Sequence, residues 1–139
     1  MPHRLYGAGV GLFAVLSYLN ILDNGFALDD FGLLNEMVRN GEWITLATSD
    51  YWAGFDGLRS GLYRPLTTLL LAGEFHLWGE NPAPYHVLSI LLRTANALLV
   101  YGLVGRLGGN LAGFLPGTFF AVHPIHTEAV AGLGGRADL

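Results

Sequence analysis

The sequence predicts an all-α membrane protein: three transmembrane helices, with two membrane-parallel amphipathic helices in the first extracytoplasmic loop. Three observations predict it. Of the 139 residues, 52% are hydrophobic and 13% charged, and the mean hydropathy is +0.42; soluble domains carry about 25% charged residues. Three apolar segments come close to the roughly 20 residues needed to cross a bilayer core. Between the first two lies a stretch whose apolar residues recur at helical spacing among polar ones. Composition also narrows the function. There is no lysine, and a net charge of −4 leaves no basic patch for nucleic acid. Without cysteine, neither disulfides nor thiolate chemistry are available.

Residues 5–22, LYGAGVGLFAVLSYLNIL, carry no charge and reach about 27 Å as a helix, which suits a first span. A signal peptide cleaved before Leu28 is the competing reading. Arg4 before the segment, with no further basic residue until Arg39, favours a cytoplasmic N-terminus. A loop over 23–85 follows. Within it Phe31, Leu34, Met37 and Val38 alternate with Asn35, Glu36, Arg39 and Asn40 until Gly41 stops the pattern, predicting a short amphipathic helix. Residues 42–63, rich in Gly, Asp, Trp and Tyr, read as an irregular loop, and Trp43, Trp52 and Trp78 as interfacial anchors. Pro65 suits a first helical position in a segment to Trp78 that contains Glu74 and His76; fourteen residues are short for a span and suit an interfacial helix.

Spans at 86–105 and 107–125 complete the set, with a second extracytoplasmic loop at 126–139. If residues 65–78 do not span, Arg4 and Arg106 are cytoplasmic, and both polar clusters share the outer face. The chain reads as the front part of a longer protein.

Each candidate residue has a plain reading beside a chemical one. Asp29 and Asp30 stand where a helix cap is expected, and equally where a general base would meet a membrane cavity. In HPIHTE, His123, His126 and Glu128 have spacing suited to two or three metal ligands, or to a polar turn at a membrane exit; it is not the HExxH zinc helix. Arg136 and Asp138 make this cluster denser. Arg93 lies inside an apolar segment, where a cation faces protein or a cavity or snorkels to the near surface. Arg64 opens the interfacial helix, where a guanidinium meets an anionic headgroup or phosphate.

The order LDDFGLLNEMVRNGEW, YRPLTTLLL, GENPAPYH and FAVHPIHTEAVAGLGGRADL resembles the opening of the transmembrane and tetratricopeptide-repeat O-mannosyltransferases. More broadly it is similar to GT-C glycosyltransferases. The resemblance runs from about Phe26 to the end. It implies a multi-pass enzyme of the bacterial inner membrane, or of the endoplasmic reticulum in a eukaryote. Such an enzyme moves a sugar, usually mannose, from a polyprenyl- or dolichyl-phosphate donor to a protein or other hydroxyl acceptor. By the same resemblance Asp29 and Asp30 hold the catalytic positions. The second loop, with His123, His126, Glu128 and Asp138, lies beside them. Arg64, Arg93 and Arg136 are candidates for the leaving phosphate, as is a divalent metal such as Mg or Mn. Where the family often has a further His after YH, this chain has Arg93. The alternative is a non-enzymatic membrane scaffold presenting downstream repeats to protein partners.

Overall fold

A computed structural model describes residues 2–27, 29–54 and 59–139, which form helices and turns without a strand. The cleavage site considered before Leu28 and part of the 42–63 loop lie outside the described residues. The α-helices in chain order are α1 (Pro2–Tyr18), α2 (Asp29–Leu33), α3 (Glu36–Asn40), α4 (Trp43–Thr48), α5 (Pro65–Trp78), α6 (Pro82–Gly108), α7 (Asn110–Val122) and α8 (Thr127–Ala131). A 3-10 turn extends α1 to Asp23, and another forms Gly134–Asp138.

Two segments are long and apolar enough to cross a membrane: Arg4–Asp23, with a mean hydropathy of 1.7, and Pro82–Gly108, with 1.8. The second starts earlier than the apolar run suggests. Pro82 takes the first helical position, and the Asn81 side chain accepts a hydrogen bond from the Ala83 N–H at 3.3 Å. The third expected span, 107–125, is shorter in the structure: α7 has 13 residues, about 20 Å. Gly109, at φ 87°, separates it from α6, and an extended His123 followed by Pro124 ends it.

These three helices pack through small side chains. Val10, Ala14, Ala97 and Ala121 form the buried core, bordered by Tyr101, Phe114 and Phe120. Small contact residues let helix backbones approach, as at helix interfaces in lipid. Leu12, Leu16, Leu99, Leu103, Leu111, Leu115 and Phe119 point outward and are exposed. An apolar exterior around a small-residue core suits a lipid solvent.

Closest of all is the α6–α7 contact at Gly113. A Cβ there would lie 2.4 Å from the Tyr101 carbonyl oxygen and 2.7 Å from the Gly105 nitrogen. Gly113→Ala should therefore destabilise the chain by about 1–3 kcal/mol through overpacking. Gly73→Ala, where a Cβ would meet nothing within 4 Å, should be neutral or slightly stabilising. Thermal unfolding of both variants in detergent checks this.

The loop between α1 and α6 builds a second core from Leu33, Leu34, Val38, Leu46, Tyr51, Leu71, Ala72 and Tyr85. The amphipathic helix expected over 31–40 is divided here. Asn35 is extended, and its side chain accepts from the Val38 N–H at 3.2 Å to start α3, so its capping preference outweighs continuous periodicity. Gly41, at φ 67°, closes α3. Residues 43–48, read as loop, are helical because Leu46 packs into this core. Asp50 gathers the rest of the loop, accepting from the Trp52, Ser60 and Gly61 N–H groups at 2.9, 3.2 and 2.6 Å. Helix α5 has the expected bounds. Leu133 of the second loop completes the core, bringing the two polar loops together.

Candidate active site

The neighbouring acids Asp29 and Asp30 face different ways, because successive residues of a helix are about 100° apart. Asp30 is buried, 2% exposed. Its Oδ2 accepts from the Ala27 N–H at 3.0 Å and its Oδ1 from the Leu133 N–H at 2.7 Å. The second bond crosses between the loops, so this carboxylate caps α2 and anchors the second loop at once. Asp29 is exposed and lies beside Gly134; a Cβ there would sit 3.7 Å from the Asp29 Cβ and 4.0 Å from its Oδ2.

The turn Gly134–Asp138 is held from several sides. The Tyr51 hydroxyl donates to the Gly134 carbonyl at 3.3 Å; burial pushes this phenol up to about 12, so it acts as a neutral donor. Arg64 donates to Asp138 Oδ1 at 3.2 Å and stands over the Tyr51 ring at 5.4 Å. Its side chain is 27% exposed and that of Asp138 65%, so this pair is wet and contributes little to stability. Arg136 is buried. It donates to Glu74, to the Tyr85 carbonyl at 2.9 Å, and to Ser89 Oγ at 3.0 and 3.2 Å. Burial pushes the Glu74 carboxyl up to about 7, against the opposing pull of Arg136.

The rest of HPIHTE lies at the end of α7. His123 accepts from the Ile125 N–H at 3.2 Å through Nδ1, and its ring centroid is 4.9 Å from that of Phe119. His126 stacks near Phe120 at 4.8 Å. Burial, reinforced by Arg93 and His123, holds its imidazole below the usual histidine range. Glu128 is exposed. It borders one groove with Asp23, Asn24, Phe26 and Gly132, and another with His126, Gly135 and Asp138. Arg93 is 1% exposed. It donates to the Phe120 carbonyl and lies 3.8 Å above that residue's ring. The last carbonyls of a helix have no partner within it, so this cation, carried by α6, caps α7.

The nine expected residues thus occupy one end of the helical bundle in two groups. Asp29, Asp30, Arg64, Arg136 and Asp138 converge on the 134–138 turn. Arg93, His123 and His126 gather at the end of α7, with Glu128 bordering both grooves. Asp29 and Glu128 are exposed, and Arg64 partly so, whereas the guanidinium groups of Arg93 and Arg136 are committed inside the protein. Among the described residues no three His, Asp or Glu side chains come close enough to share a metal ion, so these residues do not by themselves fit one. Glu74, Tyr51 and Ser89 were not singled out in the sequence. Glu74 had a signal, as a lone carboxylate in LLLAGEFHLW; Tyr51 and Ser89 had none.

The chain is 37% identical over 142 residues to the Drosophila melanogaster protein O-mannosyl-transferase Tmtc1, a match covering 95% of this chain and 16% of that protein. It is 38% identical to the Mus musculus protein O-mannosyl-transferase TMTC2, covering 88% and 15%. With the Xenopus laevis protein O-mannosyl-transferase tmtc2 it shares 35%, over 100% and 17%. The chain therefore spans about a sixth of the length of these relatives. No family model and no solved structure matches it. Over nearly its whole length the chain is thus similar to a part of the TMTC protein O-mannosyl-transferases.

Proposed function

We propose that this chain is the opening part of a multi-pass GT-C glycosyltransferase that moves mannose from a polyprenyl- or dolichyl-phosphate donor to a hydroxyl of a protein. The observation that carries this reading is the division of labour in the acid pair. Asp30 is fixed by two backbone N–H groups, and Asp29 beside it presents a free carboxylate where the loops meet. The names of the relatives support the sugar and the protein acceptor. In the proposed topology α1, α6 and α7 all cross the membrane, with Arg4 and Arg106 cytoplasmic and both polar loops outside. Helix α5 lies along the membrane surface.

Asp29 accepts the proton of the acceptor hydroxyl while that oxygen bonds to the anomeric carbon. The bond from this carbon to the lipid-phosphate oxygen breaks on the opposite face. Its electrons leave with the phosphate, and the configuration inverts through an oxocarbenium-like state. Arg64, partly exposed beside the turn, offers its guanidinium to the departing phosphate. Arg93 and Arg136, whose guanidinium groups are engaged inside the protein, take no part in this contact. Glu128, with His126 and Asp138, borders the approach of the acceptor.

The complete protein in lipid vesicles, given dolichyl-phosphate mannose and a Ser/Thr peptide, should release a mannosylated peptide whose anomeric configuration is opposite to the donor's. Retained configuration, or no transfer, would overturn the reading. Single cysteines replacing the exposed Asn24 and Thr127 should both react with an impermeant thiol reagent from the extracytoplasmic side. Labelling of only one there would break the topology.

A further inference from the structure

The Glu74–Arg136 pair is absent from the chemistry above, yet both side chains are among the most deeply buried polar groups described. Their side chains are 2% and 1% exposed. The pair joins three separate parts of the chain: Glu74 comes from the middle of α5, Arg136 from the second loop, and the remaining acceptors, the Tyr85 carbonyl and Ser89 Oγ, from α6. Stability alone is a poor reason for such a pair. Removing two charges from water offsets most of their attraction, and well-packed apolar residues often do as well or better. Here Glu74 Oε1 has no hydrogen-bond partner, so the site is not even fully satisfied.

Geometry supplies a better reason. Arg136 lies two residues after Gly134, the residue against Asp29, and two before Asp138, the partner of Arg64. A guanidinium held by acceptors on two helices fixes both the position and the rotation of the turn between them. Gly135 has little freedom to compensate, since a Cβ there would lie 2.9 Å from the Ala129 Cα. We propose that Glu74 is a positioning residue: by clamping Arg136 it sets the 134–138 turn against Asp29 and Arg64, so α5 determines the geometry of the transfer site. This rests on the glycosyltransferase reading and adds to it a residue that touches neither donor nor acceptor.

The test compares Glu74→Leu with Glu74→Leu/Arg136→Met in the complete protein. The single variant leaves a buried cation unpaired and is expected to lose stability. The double variant removes both charges, and Ser89 Oγ is then free to bond the Tyr85 carbonyl four residues earlier, so its melting temperature should stay near that of the unmodified protein. Even so, amide exchange across residues 133–139 should accelerate at least tenfold. The transfer kcat should fall by about 10²-fold, the scale of a 1 Å misplacement, with the donor KM unchanged. A double variant with unmodified exchange and kcat would reduce the pair to a stability element and overturn the proposal. A raised donor KM at constant kcat would overturn it in favour of direct phosphate binding by Arg136. If the unmodified protein transfers no sugar, the glycosyltransferase reading fails, while the exchange measurement still decides whether the clamp exists.

Discussion

Asp29→Asn should lower sugar transfer by the complete protein by about 10² to 10⁴, the usual effect of removing a general base, with the fold intact. The substitution preserves size and shape and removes only the ability to take a proton. Asp29 is exposed at the start of α2, so an amide there buries nothing new. At most it weakens a favourable interaction of a negative charge with the helix N-terminus, about 0.3–1 kcal/mol. The melting temperature should therefore shift by only a degree or two while the rate collapses. Donor and acceptor KM values should stay close to normal, since the lost interaction develops in the transition state. A variant that transfers at nearly the unmodified rate would make Asp29 a solvated cap residue and leave the site without its base.

Periodicity and chain punctuation carried much of this fold, and where they fell short the reason was a tertiary contact. Pro65 and Trp78 bound α5 as expected, because a proline start and a terminal Gly79 are local signals. The division at Asn35 was less legible, since Phe31, Leu34, Met37 and Val38 fit one helix as well as two; the Asn35 cap decides it. Helix α4 was invisible for a different reason. Its only buried residue is Leu46, and the partners of Leu46 lie across the loop. The boundary of the 107–125 segment failed because hydropathy does not register a positive φ at Gly109.

The site was legible in its residue types but not in their assignments. Nothing in GRADL tells a phosphate-binding arginine from one paired with Glu74, 62 residues away. Likewise Arg93 in its apolar segment was equally consistent with a cavity or the membrane surface; it turned out to cap the end of α7 at Phe120. The arginines of this chain thus serve two different needs. Arg93 and Arg136 satisfy buried acceptors on neighbouring elements, and Arg64 keeps part of its guanidinium in water. Because burial is not a sequence property, only the structure separates the cation available to a ligand from those already engaged.

The same separation applies to Asp30, for which the expected loss is one of folding. Asp30→Ala leaves two backbone N–H groups, at Ala27 and Leu133, without the carboxylate that accepts them. Leu133 is 0% exposed, so its N–H has no route to water, and an orphaned buried donor carries its full desolvation cost. A hydrogen bond to a charged group contributes about 1.5–3 kcal/mol, against total stabilities of about 5–15 kcal/mol. Leu133 carries most of the loss, because Ala27 is exposed and its N–H can turn to water. Asp30→Asn should fall between: its one amide oxygen can serve Leu133 or Ala27 but not both, and its NH₂ group then faces the other donor. Amide exchange should rise first at Leu133 and then along the 134–138 turn, whose place against Asp29 depends on that anchor. Thermal unfolding and exchange, measured with the transfer assay, distinguish this from chemistry. Asp30→Ala should lose stability and rate together, whereas Asp29→Asn loses rate alone. An Asp30→Ala protein with an unchanged melting temperature and no transfer would place the chemistry on the buried acid instead.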